Sequence, residues 1–182
     1  MKSILISIKP KYCELISSGK KTVEVRKTKP KLETPFKVYI YCTKQFYRKG
    51  NGYFQGKYCG KVIGEFVCDA IFPISCYYSD VKARGIHREQ PYTCLTDKEM
   101  IDYLGNGVEG YGWHISNLVI YDKPRELSEF QRYPKTEHCG WGECDICRHG
   151  DFDQIDEEWF CRNIITRPPQ SWCYVERSEN GT

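Results

Sequence analysis

The sequence predicts an α+β chain that is mainly β, folded as a small β-barrel with flanking short helices and a cysteine-rich insertion. Five or six runs have the length and the β-branched and aromatic content of strands, whereas only two segments space their apolar residues as a helix does. A polar, acidic segment at 132–167 carries four of the eleven cysteines. Many short strands with few helices in 182 residues are typical of one small barrel, which this segment would interrupt.

The first elements are a strand, a short helix and a second strand. Residues 4–8 are an apolar run of strand length, and Pro10 suits the first turn of the helix that follows. Gly19 is placed to end that helix in a left-handed turn. Residues 21–27 are then expected to form a strand that leaves the turn directly.

The later elements are one helix and several strands. The helix is predicted from Thr96, which can form a capping box with Glu99, to Gly105. In the longest strand-like run, Gly64 is expected to mark a bulge or a bend. The strand-like runs after the first two are residues 37–43, 60–74, 117–122 and 171–176.

These elements divide the chain into three parts. We assign residues 1–131 to the barrel, 132–167 to a cysteine-rich, zinc-binding insertion, and 168–182 to the final barrel strand and a tail. No run reaches the roughly 18 apolar residues of a membrane span, and the first apolar stretch is too short for a signal peptide. We therefore expect a soluble, cytoplasmic protein with no membrane partner and with mostly reduced thiols.

Charge is distributed unevenly along the chain, although its net value is only +3. Residues 1–61 hold 15 Lys and Arg against three Glu, a balance of +12, and the remaining residues hold 12 basic and 21 acidic side chains, a balance of −9. This asymmetry favours a basic face with an anionic partner. The alternative is that the two halves neutralise each other across the fold.

The stretch "KTVEVRK" interleaves charged and β-branched residues. Side chains alternate along a strand, so Val23 and Val25 share one face, which we expect in the core. Glu24 and Arg26 share the other face, near Lys21. A lysine and a glutamate held together can transfer protons, and a carboxylate can instead hold an anion-binding arginine in place. The alternative is a surface charge ladder of little energetic value.

A second stretch, residues 44–61, combines cations with aromatic rings and contains no acidic residue. Cations neutralise phosphates and rings stack on unpaired bases, so this composition favours single-stranded nucleic acid as the partner. Four glycines indicate a loop or a loose hairpin, and the alternative is a loop whose rings pack back on the barrel. The cations are Lys44, Arg48, Lys49, Lys57 and Lys61, and the rings are Phe46, Tyr47, Tyr53, Phe54 and Tyr58.

The insertion has three cysteines in the spacing C-x4-C-x2-C, which are Cys139, Cys144 and Cys147. Two thiolates of a C-x2-C turn can reach one ion, and structural zinc takes four such ligands. Cys161 is the best fourth ligand, His149 is next and His138 is third. A closed site would keep a polar insertion folded, and the alternatives are free thiols or a redox pair.

Several further residues have open or structural roles. Trp172 and Tyr174 share a strand face, and we expect one of them in the core and the other at a site. His114, beside a tryptophan, is more typical of a structural residue than of a catalyst. Cys42 and Cys68 lie in strand-like runs and are expected to be small core residues.

These residues resemble the ASCH domain family (activating signal cointegrator homology), whose signature runs G-x-K-x-x-E-x-R. The signature positions are occupied by Gly19, Lys21, Glu24 and Arg26. The stretches "VYIYCTK", "GKVIGEFVCD", "YGWHISNLVIYDKPRELSEF" and "RPPQSWCYVE" are similar to bacterial and phage members. The likeness covers most of residues 3–130 and then 166–176.

The resemblance implies a PUA-like β-barrel with a cleft beside the motif, a fold widely used to bind RNA. One bacterial branch is an amidohydrolase that removes the acyl group from N4-acetylcytidine, using the motif lysine, here Lys21, and a threonine where this chain has Glu24. A glutamate cannot replace that hydroxyl without a change of mechanism, so the activity is not transferred. Other members are reported to bind nucleic acid or to cut RNA.

The sequence therefore predicts a protein that binds RNA or single-stranded nucleic acid through the basic–aromatic stretch and a cleft of Lys21, Glu24 and Arg26. The alternative is an amidohydrolase acting on a modified nucleoside such as N4-acetylcytidine, with Lys21 and Glu24 as the catalytic pair, or an RNA-cleaving enzyme. A protein-interaction module that docks through the insertion is a third hypothesis. The candidate ligand-binding residues are Lys9, Arg26, Lys44, Tyr47, Arg48, Lys49 and Lys57.

Overall fold

The computed structural model describes residues 2–44, 46–49, 52–55, 58–75, 90–133 and 164–176. Within these ranges the chain is mainly β, which confirms the predicted fold class. The strands are β1 Lys2–Ile8, β2 Val23–Arg26, β3 Phe36–Cys42, β4 Phe46–Lys49, β5 Gly52–Gln55, β6 Val62–Cys68, β7 Ile71–Ser75, β8 Glu109–His114, β9 Ser116–Arg125, β10 Gln131–Arg132 and β11 Trp172–Glu176. The helices are α1 Pro10–Ser17, α2 Gln90–Thr93 and α3 Asp97–Leu104, with a 3-10 turn at Leu127–Glu129. None of these helices is long and apolar enough to cross a membrane.

The strands form two sheets and a hairpin. The larger sheet has the order β10-β11-β1-β3-β6-β9, the smaller sheet has the order β2-β8-β7, and β4 pairs with β5. β1 runs parallel to β3, from which α1 and β2 separate it in the chain, and antiparallel to β11. Among the described residues the strand pairing does not close into one ring, so the predicted barrel takes the form of open sheets.

The local signals at the helix ends are confirmed. α1 begins at Pro10, and Gly19, with a φ of +71°, follows its end in the left-handed conformation. At the start of α3, the Thr96 side chain accepts a hydrogen bond from the backbone N–H of Glu99. The Glu99 carboxylate in turn accepts from the backbone N–H of Thr96, which completes the predicted capping box.

The single long strand predicted at 60–74 is wrong. This run divides into β6 and β7, which belong to different sheets. Asp69 and Ala70 lie between them, and the Ala70 carbonyl accepts from the Cys68 thiol and from the backbone N–H of His114. The turn therefore transfers the chain from the larger sheet to the smaller one, where β7 pairs with β8.

The first face of β2 packs against α3. Val23 and Val25 are buried with Ile74 of β7 and with Met100 and Leu104 of α3. This confirms that the valines of the motif strand belong to a core, and it shows that α3 covers them.

The opposite face of β2 is buried as well. Glu24 lies opposite Trp113 in the pairing of β2 with β8, so the two side chains share a face. Trp113 belongs to the largest core cluster, which also contains Ile4 and Ile6 of β1. The charged face of β2 therefore points towards the core cluster to which residues of both sheets contribute.

Candidate functional site

Lys21, Glu24 and Arg26 form one ion-pair network. The Glu24 carboxylate lies 3.3 Å from Lys21 Nζ through Oε2 and 2.9 Å from Arg26 Nη2 through Oε1. Glu24 and Arg26 meet because residues two apart share a face of a strand. Lys21 joins them from the turn after α1, where its backbone N–H donates to the carbonyl of Leu15. The structure thus brings together the three charged residues that the sequence singles out.

This network is almost completely buried. The side chains of Lys21, Glu24 and Arg26 are 1%, 8% and 7% exposed. Such burial excludes the solvated charge ladder that was the simplest alternative for this strand. Charges withdrawn from water require pairing and hydrogen bonding, and the formal charges of these three groups leave one positive charge in excess.

The Lys21 ammonium has an acceptor for each of its three N–H groups. It donates to the carbonyl of Val23 at 2.8 Å and to the carbonyl of Thr93 at 2.6 Å, and Glu24 is its third partner. The ring of Tyr12 lies over it, with its centroid 5.3 Å from Nζ. Lys21 therefore ties the end of α2 and the start of β2 to the Glu24 carboxylate.

The Arg26 guanidinium has hydrogen-bond acceptors for only some of its N–H groups among the described residues. Its Nη2 also donates to the carbonyl of Ser7 at 2.7 Å, and its Nη1 lies 3.4 Å from Ser171 Oγ. Its Nε–H is buried and has no acceptor in the described part of the chain. The indole N–H of Trp113, on the same face of the β2–β8 pair, is also buried without an acceptor there. Two buried N–H donors in this interior therefore have no acceptor among the described residues.

A second network lies beside the first, and the sequence marked only its Glu99, as a capping-box residue. Glu99 Oε1 is 2.7 Å from Lys11 Nζ and 3.5 Å from the Tyr12 hydroxyl. Burial and the nearby Glu99 carboxylate raise the pKa of the Tyr12 phenol. Because its ring also lies over Lys21, Tyr12 connects the two networks. Its only sequence signal is helical spacing, which does not distinguish a site residue from a core residue.

The lowered pKa of the Glu99 carboxyl group predicts that the free energy of unfolding depends on pH. The hydrogen bond from Lys11, followed by that from the Thr96 N–H, lowers the pKa of Glu99 from 4.5 to about 2. A folded-state pKa below the ordinary value means that these contacts stabilise the fold above about pH 4.5 and that the stabilisation is lost as the pH falls towards about 2. We expect Glu99→Gln to lower the free energy of unfolding at neutral pH, and the difference from the wild type to shrink on acidification.

Denaturant unfolding at a series of pH values measures this effect. Asp102→Asn, which removes an exposed carboxylate from the same helix, is the control and is expected to show a smaller difference. A difference between Glu99→Gln and the wild type that stays constant with pH would contradict the assignment.

Two other candidate ligand-binding residues are exposed and are not among the hydrogen-bond or ion-pair partners of the buried network. Lys9 is exposed at the start of α1, and its carbonyl accepts from the backbone N–H of Cys13. Lys44 is exposed, and its side chain approaches Gly60. Neither lysine forms an ion pair with another described residue.

The basic–aromatic stretch contains a hairpin, as the sequence analysis allowed, with β4 and β5 as its strands. Besides Lys44, three of the candidate residues in this stretch lie on β4 and one lies outside the described residues. They are Tyr47, Arg48 and Lys49 on β4, and Lys57 beyond it. Their side chains are outside the described part, so their role in binding stays a prediction.

The predicted zinc ligands, Cys139, Cys144, Cys147 and Cys161, lie outside the described residues, as do His138 and His149. Within the described ranges, no group of three or more His, Cys, Asp or Glu side chains is arranged to hold a metal ion. Cys42 and Cys68 are buried, as predicted.

The remaining residues with open roles are partly exposed. His114 Nδ1 lies 2.6 Å from Asp69 Oδ1, and this hydrogen bond lowers the pKa of Asp69. Trp172 and Tyr174 are both partly buried and both pack against the main core, and which of them lies at a site stays a prediction. The ring centroid of Trp172 is 5.9 Å from that of Trp113 and 5.4 Å from that of Tyr174.

Comparisons with known proteins identify the family. Residues 6–169 match the family model of the ASCH domain. The fold is similar to the crystal structure of ASCH from Zymomonas mobilis, with a TM-score of 0.56 and 19% identity over 96% of this chain and 87% of that chain. A tyrosine-to-phenylalanine mutant of that protein gives a TM-score of 0.57 at 19% identity over 97% and 91%, and a serine-to-alanine mutant gives 0.56 at 18% over 96% and 88%. No curated protein matches significantly. Because the family model spans most of its length, the chain belongs to the ASCH domain family.

Proposed function

We propose that this ASCH protein binds RNA or single-stranded nucleic acid, and that Arg26 receives a phosphate or base oxygen. The buried Nε–H of Arg26 supports this proposal, because it has no acceptor among the described residues although Glu24 and Ser7 hold the same guanidinium in place. Leaving a buried donor unpaired costs about 1–3 kcal/mol, which an oxygen atom of a ligand would relieve. The Trp113 indole N–H, on the same face, would be a second donor.

The charge of the network favours the same class of ligand. Lys21, Glu24 and Arg26 carry one positive charge in excess, and an anionic or strongly polar guest lowers the free energy of such a buried charge. Glu24 orients both cations and is suited to accept a hydrogen bond from an exocyclic amino group of a base. The network would therefore recognise one nucleotide, and the β4–β5 hairpin would supply sequence-independent contacts to the backbone.

The test is a salt titration of binding to a labelled single-stranded oligoribonucleotide. Arg26→Lys keeps the charge but loses Nε–H and the planar fork that contacts Glu24 and Ser7. We expect it to weaken binding about ten-fold or more, with little change in the salt dependence. Unfolding curves recorded in parallel show whether the variant is folded at the assay temperature. An affinity equal to that of the wild type would contradict the role of Arg26.

The second arm of the same titration addresses the basic–aromatic stretch, residues 44–61, which contains the hairpin. Replacing Lys49 and Lys57 together by glutamine should reduce the slope of log affinity against log salt by about 1.4, since each phosphate contact to a single strand contributes about 0.7. Lys98→Gln with Lys123→Gln removes the same charge from exposed positions on α3 and on β9, and it is the matched control. Equal slopes for the two double variants would remove the basic–aromatic stretch from the proposal.

An amidohydrolase acting on a modified nucleoside is the second candidate. The 3.3 Å separation of the buried Lys21 and Glu24 is the observation that favours it. The three acceptors around Lys21 support it less, because the ammonium would have to release one of them to serve a substrate. Turnover of N4-acetylcytidine that disappears in Lys21→Ala would favour this reaction over simple binding.

A structural zinc ion held by Cys139, Cys144, Cys147 and Cys161 remains part of the proposal. We expect the purified protein to contain about one zinc ion per chain, and Cys144→Ser to lose most of it, because one thiolate of the C-x2-C turn is gone. Elemental analysis after gel filtration measures the content. Metal-free wild-type protein would rule the site out, and His149→Ala serves as the comparison for the choice of the fourth ligand.

A further inference from the structure

A second group of cations and rings lies where the segment after β2 passes beside β11. We propose that this surface, here called the rim, contacts the phosphates of a single strand of nucleic acid next to the nucleotide held by Arg26. The inference rests on the proposed function and extends it to residues of which the sequence analysis named only Tyr174 as a candidate for a site. The rim consists of Lys2, Lys29, Lys31, Tyr111, Tyr133 and Tyr174.

Hydrogen bonds fix the segment after β2 against β11. Trp172 Nε1 donates to Thr28 Oγ1 at 3.1 Å, and the Tyr174 hydroxyl accepts from the backbone N–H of Lys31 at 2.7 Å. These bonds hold the backbone around Lys29 and Lys31 beside β11, and both lysines are exposed there. The Lys29 ammonium lies 5.4 Å from the ring centroid of Tyr111 on β8.

Lys2 extends the rim on the other side of Tyr174. Its ammonium is 3.8 Å from the ring centroid of Tyr174 and 5.1 Å from that of Tyr133, which is 37% exposed. Although Glu176 is its register partner in the pairing of β1 with β11, the Lys2 ammonium lies over these rings. Contact with a ring holds an ammonium in position without neutralising its charge.

The rim lysines differ in their partners from the lysines that form ion pairs with glutamates. Outside the rim, lysines that form ion pairs with glutamates are Lys11, Lys21, Lys37 and Lys61. Across the described ranges, none of the three rim lysines forms an ion pair with a carboxylate. Cations that are held by rings and are not neutralised by acids suit phosphates, and the partly exposed Tyr133 adds a ring on which a base can stack.

The rim adjoins the buried network. Arg26 Nη1 lies 3.4 Å from Ser171 Oγ, and the next residue, Trp172, contacts both Trp113 in the interior and Tyr174 in the rim. A series of rings thus leads from one of the open buried donors to the rim. A strand with one nucleotide at Arg26 would place its neighbouring phosphates near the rim lysines.

The test compares two double variants with the wild type in the oligoribonucleotide salt titration. Lys2→Gln with Lys29→Gln is expected to lower the affinity about ten-fold at physiological salt and the salt slope by about 1.4. The control pair Lys98→Gln with Lys123→Gln is expected to change both quantities much less, although it removes the same charge. Tyr133→Ser should lower the affinity with little effect on the slope, because a ring contributes by stacking and carries no charge.

The outcomes separate this inference from the function on which it rests. Wild-type binding with equal salt slopes for the two double variants would overturn the rim and leave the Arg26 site standing. An equal loss in both double variants would show that only the net charge matters, and it would likewise overturn the rim. Absence of wild-type binding would overturn both proposals.

Discussion

Glu24→Gln is expected to lower the free energy of unfolding by about 3–5 kcal/mol, the cost of removing one partner from a buried ion pair. The Glu24 carboxylate compensates two cations that are almost completely buried, Lys21 and Arg26. A neutral amide keeps the size of the side chain but leaves both cations without a counter-charge. Denaturant unfolding of the variant and the wild type at neutral pH gives the difference directly.

An exposed pair provides the matched control. Glu126 pairs with Lys61, and the two side chains are 57% and 39% exposed. Glu126→Gln should therefore cost no more than about 1 kcal/mol. A cost for Glu24→Gln as small as that of Glu126→Gln would show that Glu24 is not the buried counter-charge of Lys21 and Arg26 in the folded protein.

A third variant distinguishes a structural network from a functional one. Replacing Lys21 and Arg26 by methionine and Glu24 by leucine removes every charge at once, so no buried ion is left unpaired. Apolar replacements of buried ion pairs are often neutral or stabilising, so this triple variant is expected to be more stable than Glu24→Gln. If it folds and no longer binds the oligoribonucleotide, the network is present for recognition and not for stability.

The local elements of this fold could be predicted because their signals are local. Gly19 ends α1 through its own backbone conformation, and the Thr96–Glu99 capping box lies within one helical turn. The alternation of Val23 and Val25 also identified the apolar face of β2. Each of these features depends on residues that are close in the sequence.

Strand β8 could not be predicted, because the contacts that explain its residues come from distant parts of the chain. "EGYGWH" contains two glycines and looks like a loop, yet it forms the central strand of the smaller sheet. A Cβ atom at Gly110 would lie 2.5 Å from the Leu104 side chain, and one at Gly112 would lie 2.6 Å from that of Phe72. These glycines make room for side chains from α3 and β7, which only the tertiary fold brings near.

The site was predicted in part. Strand periodicity placed Glu24 and Arg26 on one face, but it does not tell a solvated face from a buried one. The partners that bury this face come from distant parts of the chain, namely Ser7, Thr93 and Ser171. The sequence therefore identified the charged residues and not the contacts that withdraw them from water.

Gly64→Ala is expected to lower the free energy of unfolding by about 3 kcal/mol or more, because the backbone of β9 occupies the space that a side chain would need. A Cβ atom at Gly64 would lie 2.4 Å from the carbonyl oxygen of Val119 and 3.1 Å from Ile120 Cα. The register of β6 with β9 shifts between Val62 and Gly64, which agrees with the predicted irregularity at this glycine.

Gly19→Ala is the control, since a Cβ atom there meets nothing within 4 Å and only the φ of +71° opposes it, at about 1–2 kcal/mol. Both variants are compared by denaturant unfolding. A Gly64→Ala variant that is more stable than Gly19→Ala would show that β9 does not pack against β6 at this register, and with it the edge of the larger sheet would have to be reassigned.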